Sequence, residues 1–187
     1  HAPVFINLDI DNKNENYLIF SDNVTYLINK QFFLTQGKSK AINEGIEIYA
    51  DNFEYNKIEN VINANGKVKI IDTINEYLML ANEATYFKNK EKIITKGKTE
   101  AFIQSKYTIY SKDVTYLHDK KILSSQNKTK INNQKSQIYF AEKFSYSINQ
   151  ETIKGEEFLI ITNYNLPKSD KFFLENAKIN LKNKKFI

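Results

Sequence analysis

Protein chemistry needs titratable or nucleophilic side chains at workable spacing, and this chain of 187 residues offers few. It has two histidines, His1 and His118. His118 falls in a turn after Tyr116, where a histidine is ordinarily solvated, and no Ser-His-acid arrangement assembles around it. There is no cysteine, which excludes disulfides and thiolate metal sites, and no metal-ligand spacing is present. Carboxylate pairs stand at Asp9/Asp11 and Glu156/Glu157. Two carboxyl groups are the equipment of glycoside hydrolysis, and repetitive β-solenoids often process polysaccharides. Adjacent Glu156 and Glu157 would point to opposite faces of a strand, which argues against a shared site. A parallel β-helix also takes fewer residues per coil and lacks paired hairpin turns. These residues imply no enzyme activity and no cofactor.

The charge excludes another class. All 27 basic residues are lysine and the net charge is +5. Arginine is the usual bidentate reader of guanine edges and phosphates, so its absence speaks against a nucleic-acid partner. An AT-rich codon bias favours Lys, Asn and Ile and accounts for the positive charge equally well. The longest apolar stretches, such as Tyr77-Leu78-Met79-Leu80-Ala81 and Phe158-Leu159-Ile160-Ile161, fall far short of the ~20 residues of a membrane-spanning helix. No signal peptide is visible. The start at His1-Ala2-Pro3 reads as a processed or engineered end. The end at Lys184-Lys185-Phe186-Ile187 falls inside an apolar-polar pattern, so a larger protein is expected.

The elements come from a repeat. Tyrosines stand at Tyr26, Tyr55, Tyr86, Tyr116 and Tyr146, with spacings of 29, 31, 30 and 30. Five residues before each lies a small residue: Ser21, Ala50, Ala81, Ser111, Ala141. Six before lies a large apolar one: Phe20, Tyr49, Leu80, Tyr110, Phe140. Eleven after the first four come Gly37, Gly66, Gly97 and Asn127, each followed by a lysine: Lys38, Lys67, Lys98, Lys128. With only 5 Gly and 2 Pro, asparagine is expected to take over much of the turn chemistry. A tandem period of about thirty residues is the sign of a stacked architecture.

Each unit reads as two strands and two turns. Ile46-Glu47-Ile48-Tyr49-Ala50 and Lys67-Val68-Lys69-Ile70 alternate with the period of a half-buried strand. One turn follows each tyrosine, as at Asn29-Lys30 or Asn89-Lys90. The other precedes the next tyrosine strand, as at Asn43-Glu44-Gly45 or Asn132-Asn133-Gln134. The apolar set changes parity within the tyrosine strand: Ile46, Ile48 and Ala50 share one parity, Phe53 and Tyr55 the other. A bulge or bend at Asp51-Asn52 restores both sets to one side. A strand bent over once per repeat makes two facing sheets joined along one side, with the apolar set inside. The expected fold is all-β, an antiparallel β-jelly roll with a folded, taco-like groove, forming a single domain over residues 1–187.

Two units carry a family signature. Tyr49-Ala50-Asp51-Asn52-Phe53-Glu54-Tyr55 is followed by Ala64-Asn65-Gly66-Lys67-Val68-Lys69-Ile70, and Leu80-Ala81-Asn82-Glu83-Ala84-Thr85-Tyr86 by Thr95-Lys96-Gly97-Lys98. A strand ending in Ala-Asp, a tyrosine a few residues on, and then a Gly-Asn/Lys-Val strand resembles the OstA-like domains of the lipopolysaccharide-transport proteins. The fourth unit departs from the pattern with Asn127 in place of glycine, and the sixth is degenerate. The resemblance spans roughly residues 15–187. Phe172-Phe173-Leu174-Glu175-Asn176-Ala177 through Ile187 looks like the strands that precede an LptD barrel, with LptA as the nearest alternative.

The resemblance implies a periplasmic bridge that receives lipopolysaccharide and delivers it to the outer membrane. An LptD-type chain would be attached there through a missing C-terminal barrel, with a lipoprotein plug as further partner. It implies acyl chains in the groove and neighbouring domains, including an upstream LptA-like domain, joined edge to edge. The groove is expected to be lined by Ile46, Ile48, Phe53, Tyr55, Leu78, Leu80, Tyr86, Ile109, Val114, Tyr116, Phe140, Phe144 and Tyr146. The same residues suit a plain core, and the tyrosines suit a same-face aromatic ladder. The alternating run Val4, Phe5, Ile6, Asn7, Leu8, Asp9, Ile10 is the expected docking edge, or an ordinary first strand. The lysines after the glycines suit lipid phosphates or a solvated surface. A structural adhesin or filament module would share the repeat but have a dry, filled interior.

Overall fold

A computed structural model describes residues 4–8, 17–133, 137–164, 166–182 and 185–186. The strands in chain order are β1 (Val4–Leu8), β2 (Tyr17–Ser21), β3 (Asn23–Leu27), β4 (Phe32–Gln36), β5 (Ser39–Asn43), β6 (Ile46–Ala50) and β7 (Asn52–Asn56). Then come β8 (Val61–Asp72), β9 (Tyr77–Phe87), β10 (Lys92–Lys96), β11 (Lys98–Ile103), β12 (Tyr107–Lys112), β13 (Thr115–Leu117) and β14 (Ile122–Ser125). The last are β15 (Thr129–Asn133), β16 (Gln137–Ala141), β17 (Lys143–Ser147), β18 (Thr152–Thr162), β19 (Asp170–Asn180) and β20 (Lys185–Phe186). Single 3-10 turns at Ile28–Lys30 and Lys88–Lys90 are the helical elements among the described residues.

Every strand pairing among them is antiparallel, which rules out the parallel β-helix reading. Pairing traces two stacks. The first sheet runs β1, β2, β5, β6, the end of β8, the start of β9, β11, β12, β15, β16, the end of β18 and the start of β19. The second runs β3, β4, β7, the start of β8, the end of β9, β10, β13, β14, β17, the start of β18, the end of β19 and β20. The long strands β8, β9, β18 and β19 cross from one sheet to the other. The expected jelly-roll-like, folded two-sheet architecture is therefore present.

The bends form a continuous hinge. Between Asn65 and Val68 the register of β8 against β9 shifts by a bulge. Gly66 and Lys67 there have φ of 78° and 48°. Backbone hydrogen bonds run from bend to bend: Asp22 N to Gly37 O (3.1 Å), Gly37 N to Asp51 O (2.9 Å) and Asp51 N to Gly66 O (2.9 Å). Farther along, Asp113 N donates to Gly97 O (3.0 Å) and Glu142 N to Glu156 O (3.0 Å). The kink frees amides that buried backbone cannot leave unpaired. Thr35 Oγ1 accepts from Phe53 N at 2.7 Å, and Thr95 Oγ1 from Val114 N at 3.0 Å. Ser39 and Thr99 hold those hydroxyls at 2.6 Å.

The turns are less dependent on asparagine than the composition suggests. The fifth residue after each repeat tyrosine takes a left-handed conformation: Gln31, Asn60, Glu91, Lys121 and Glu151, with φ from 43° to 57°. One of the five is Asn. The stacked turns hydrogen-bond to one another, as in Lys57 N to Gln31 O (3.0 Å) and His118 N to Glu91 O (2.9 Å). That stacking outweighs the small local strain of a left-handed side chain.

The bend glycines differ in what surrounds them. A Cβ on Gly66 would lie 2.9 Å from the Asp51 Cβ, whereas one on Gly97 would meet nothing within 4 Å. Gly66→Ala is expected to destabilise by about 2–3 kcal/mol and Gly97→Ala by about 1 kcal/mol, the latter from positive φ alone. Urea denaturation of the two variants checks the difference.

Candidate functional site

The interior is built from two facing ladders. In the second sheet, cross-strand register places Phe33, Tyr55, Ile62, Tyr86, Ile93, Tyr116, Leu123, Tyr146 and Ile153 in one row. In the first sheet the facing row is Ile19, Ala41, Ile48, Ile70, Met79, Ala101, Ile109, Ile131, Tyr139 and Ile160. All are buried. In the second sheet an aromatic residue alternates with an aliphatic one from Tyr55 to Ile153, because each repeat contributes one tyrosine and one aliphatic residue there, whereas the first-sheet row is aliphatic apart from Tyr139. Tyr26 opens the row at its free end and is exposed, stacked on Phe33 at 4.3 Å.

Ten of the thirteen expected groove residues lie in this interior: Ile46, Ile48, Phe53, Tyr55, Tyr86, Ile109, Val114, Tyr116, Phe144 and Tyr146, none more than 4% exposed. Leu78, Leu80 and Phe140 do not. Tyr77 and Met79 point inward on β9, and Tyr139 on β16, so the pleat turns those three outward. Both parities of Tyr77–Leu80 are apolar, so alternation could not tell the faces apart. The inward set also includes Met79, the repeat equivalent of Ile48, and Ile70, Ile131 and Ile160 on the strands paired beside that position.

The side opposite the hinge is closed by side chains. The Tyr86 hydroxyl reaches across to Asn43 Oδ1 at 3.3 Å, and the Tyr116 hydroxyl to Asp72 Oδ2 at 2.6 Å. Asn43 and Asp72 end first-sheet strands, so both bonds tie one sheet to the other. Asp72 is 1% exposed. It also accepts from Ile74 N (3.0 Å), Asn75 N (2.8 Å) and Asn75 Nδ2 (2.8 Å). A buried carboxylate needs such donors. His118 is half-buried rather than solvated: its Nε2 lies 3.5 Å from Asp72 and its Nδ1 3.3 Å from Glu91. The Tyr77 hydroxyl and the Asn43 amide nitrogen are buried beside this seam with no protein partner among the described residues. In the sequence Asn43 reads only as a turn residue, and Asp72 is not singled out. Asp72 opens a visible turn, but nothing local placed Tyr116 opposite it.

Burial raises the buried phenols. Tyr55 is pushed up to about 12 by desolvation, and Tyr107 to about 12 by desolvation and by the nearby Tyr139 and Glu151. Tyr77, Tyr116 and Tyr146 rise further, again chiefly through burial. Among the described residues no group of three or more His, Cys, Asp or Glu side chains could hold a metal ion, and no helix is long and apolar enough to cross a membrane.

Strand β1 pairs with β2 from Val4↔Ser21 to Leu8↔Tyr17 and has no described strand on its other side. It is thus the outermost described strand of the first sheet; Asp9 and Ile10 of the expected docking edge lie outside the described residues. At the far end, β19 meets β20 at Ile179 and Asn180. Its stretch from Asp170 to Lys178 has a described neighbour on one side.

No protein-family model matches the chain, and no curated protein matches it. Thirteen chains of solved structures match. One is LptH from Pseudomonas aeruginosa, described as the LptA homologous periplasmic component of the lipopolysaccharide transport device. The match covers 84% of this chain and 94% of that one, at 8% identity and a TM-score of 0.44. The likeness is one of strand arrangement alone.

Two measurements check the seam. Tyr116→Phe is expected to lower stability by about 1.5–3 kcal/mol, and a double-mutant cycle with Asp72→Asn to return a coupling of about 1–3 kcal/mol. Because the Tyr55 and Tyr107 pKa values are raised in the folded chain, the stability that they contribute is complete below about pH 10. It falls as pH rises towards about 12, since the unfolded chain then holds fewer protons. Urea midpoints across that window, with tyrosinate absorbance, should show ionisation and unfolding together.

Proposed function

We propose that this chain is an OstA-like periplasmic bridge that binds lipopolysaccharide and passes it towards the outer membrane, doing no covalent chemistry. The observation that carries the reading is the inequality of the two long sides. One side is a hinge of backbone hydrogen bonds; the other is closed by a few tyrosine contacts over an unbroken apolar interior. Parting the sheets at the seam would expose the two ladders to an entering acyl chain. Covering a chain there saves about 0.8 kcal/mol for each CH₂ kept from water. The interior rows repeat the same chemistry strand after strand, so a lipid tail meets a uniform surface along which it can move.

The finer reading is the N-terminal periplasmic domain of an LptD-type protein, ahead of an outer-membrane barrel and its lipoprotein plug. A soluble LptA-type protein is its alternative. The edges at β1 and at Asp170–Leu174 would then take neighbouring domains by strand addition.

A stacked structural module, adhesin or filament, is the second reading, and the closed interior favours it: the ten inward groove residues expose at most 4% each. Photocrosslinking separates the two. A crosslinking residue at Ile48 or Ile109 is expected to capture lipopolysaccharide, and one at the outward Thr85 or Thr115 of the second sheet is not. Lipopolysaccharide is also expected to raise the melting temperature. Ile48→Asp should abolish capture while circular dichroism still reports β structure. No capture from either interior position leaves the structural module.

A further inference from the structure

The two sheets differ on their outward faces. The middle outward row of the second sheet is short and polar at Thr25, Asn63, Thr85, Thr115, Ser124 and Ser145, holds Leu34, Glu54 and Ile94 among them, ends on Lys154 and Lys178, and carries no aromatic residue. The first sheet turns outward the large apolar residue six places before each repeat tyrosine: Phe20, Tyr49, Leu80, Tyr110 and Phe140. Register sets charged residues between them in the same row. Lys40 lies between Phe20 and Tyr49, Lys69 between Tyr49 and Leu80, Glu100 between Leu80 and Tyr110, and Lys130 between Tyr110 and Phe140. Lysine heads stand over the rings, with Lys40 and Lys69 at 5.0 and 5.7 Å from the Tyr49 ring centre and Lys130 at 6.0 Å from that of Tyr110.

A second group lies towards the hinge. Lys67, Lys98, Lys112 and Lys128 surround a concavity of about 620 Å³ that Leu80 and Tyr110 also line. Lys98 pairs directly with Lys112 across β11 and β12. Like charges at paired positions destabilise a sheet, so this face holds an arrangement that folding alone disfavours. Lys40, Lys67, Lys69, Lys98, Lys112, Lys128 and Lys130 stand against Glu47, Glu100 and Glu142, with Glu47 3.3 Å from Lys40 and Glu142 3.0 Å from Lys128. Leu80 and Tyr110 are 37% and 40% exposed.

We propose that the outward face of the first sheet docks on an anionic lipid surface. The lysine heads meet phosphates, and Leu80, Tyr110 and Phe140 enter the headgroup zone. Successive strands lie about 4.8 Å apart, so Lys67, Lys98 and Lys128 recur about every 10 Å, and Lys40, Lys69 and Lys130 follow the same spacing except where Glu100 takes one place. Such a grid suits a plane of phosphates better than one small anion. A second copy of this chain would set lysine against lysine, since a two-fold contact brings the same patch together. The proposal does not need lipid between the sheets.

The test is flotation of the full chain with vesicles that contain no lipopolysaccharide. Capture is expected on mixed phosphatidylglycerol and phosphatidylcholine vesicles, weakening with salt, and not on phosphatidylcholine alone. Replacing Lys67, Lys98, Lys112 and Lys130 by Gln should weaken capture more than about a hundredfold. The same change at Lys92, Lys96, Lys154 and Lys178 on the second sheet, with equal net charge, should alter it less than about threefold. The chain has no Trp, so Tyr110→Trp supplies a single probe, whose emission should shift to the blue on anionic vesicles. Thr85→Trp on the other face should not shift. Absent capture, equal capture by neutral vesicles, equal loss in both lysine variants, or equal shifts at 85 and 110 would each overturn the proposal.

Discussion

A strand has a period of two, and that constraint governs this molecule. A chain that leaves one sheet and enters the facing one must turn its apolar side about, or half of its large residues would face water. One extra residue at the bend makes the correction. Ile46, Ile48 and Ala50 point inward before it, and Phe53 and Tyr55 point inward after it, although their parities differ. Without that residue, two of the largest buried side chains of the second unit would turn outward. The small residue at the bend, the bulge at Gly66 and the threonine hydroxyls that take up the kinked amides all serve the same correction.

Unequal sides follow from it. The hinge is stitched by main-chain bonds from bend to bend, with Thr35, Thr95, Asp113 and Ser125 side chains closing the gaps in that ladder. The seam depends on individual groups, above all the Tyr116 hydroxyl on the buried Asp72 carboxylate, and it leaves the Tyr77 hydroxyl and Asn43 amide without protein partners among the described residues. A buried, unpaired polar group costs about 1–3 kcal/mol. Opening at the seam relieves that cost, whereas opening at the hinge breaks a ladder. Parting the sheets at the seam would therefore break fewer main-chain bonds than parting them at the hinge.

The outward faces obey the same pleat. Once the inward parity of each strand is set, the residue beside it is committed to the outside, whatever its character. Leu80, Tyr110 and Phe140 are outward for this reason, and lysines fall into register between them. The repeat therefore writes two patterns at once, an apolar one within and a mixed aromatic and cationic one without.

By itself the sequence determined the all-β class, the thirty-residue unit, the two turns per unit and the bend at each small residue. These are local matters of period and turn chemistry. Of its thirteen expected groove residues ten lie inside, and the exceptions fall where Tyr77–Leu80 is apolar on both parities and at Phe140. What tertiary structure alone decided is contact between units. Tyr116 meets Asp72 from 44 residues away, and His118, read as a solvated turn residue, sits between Asp72 and Glu91. Lys98 faces Lys112 only because β11 and β12 pair in that register. Such contacts depend on how two sheets face each other across the interior and how strands align sideways, and no local periodicity encodes either distance.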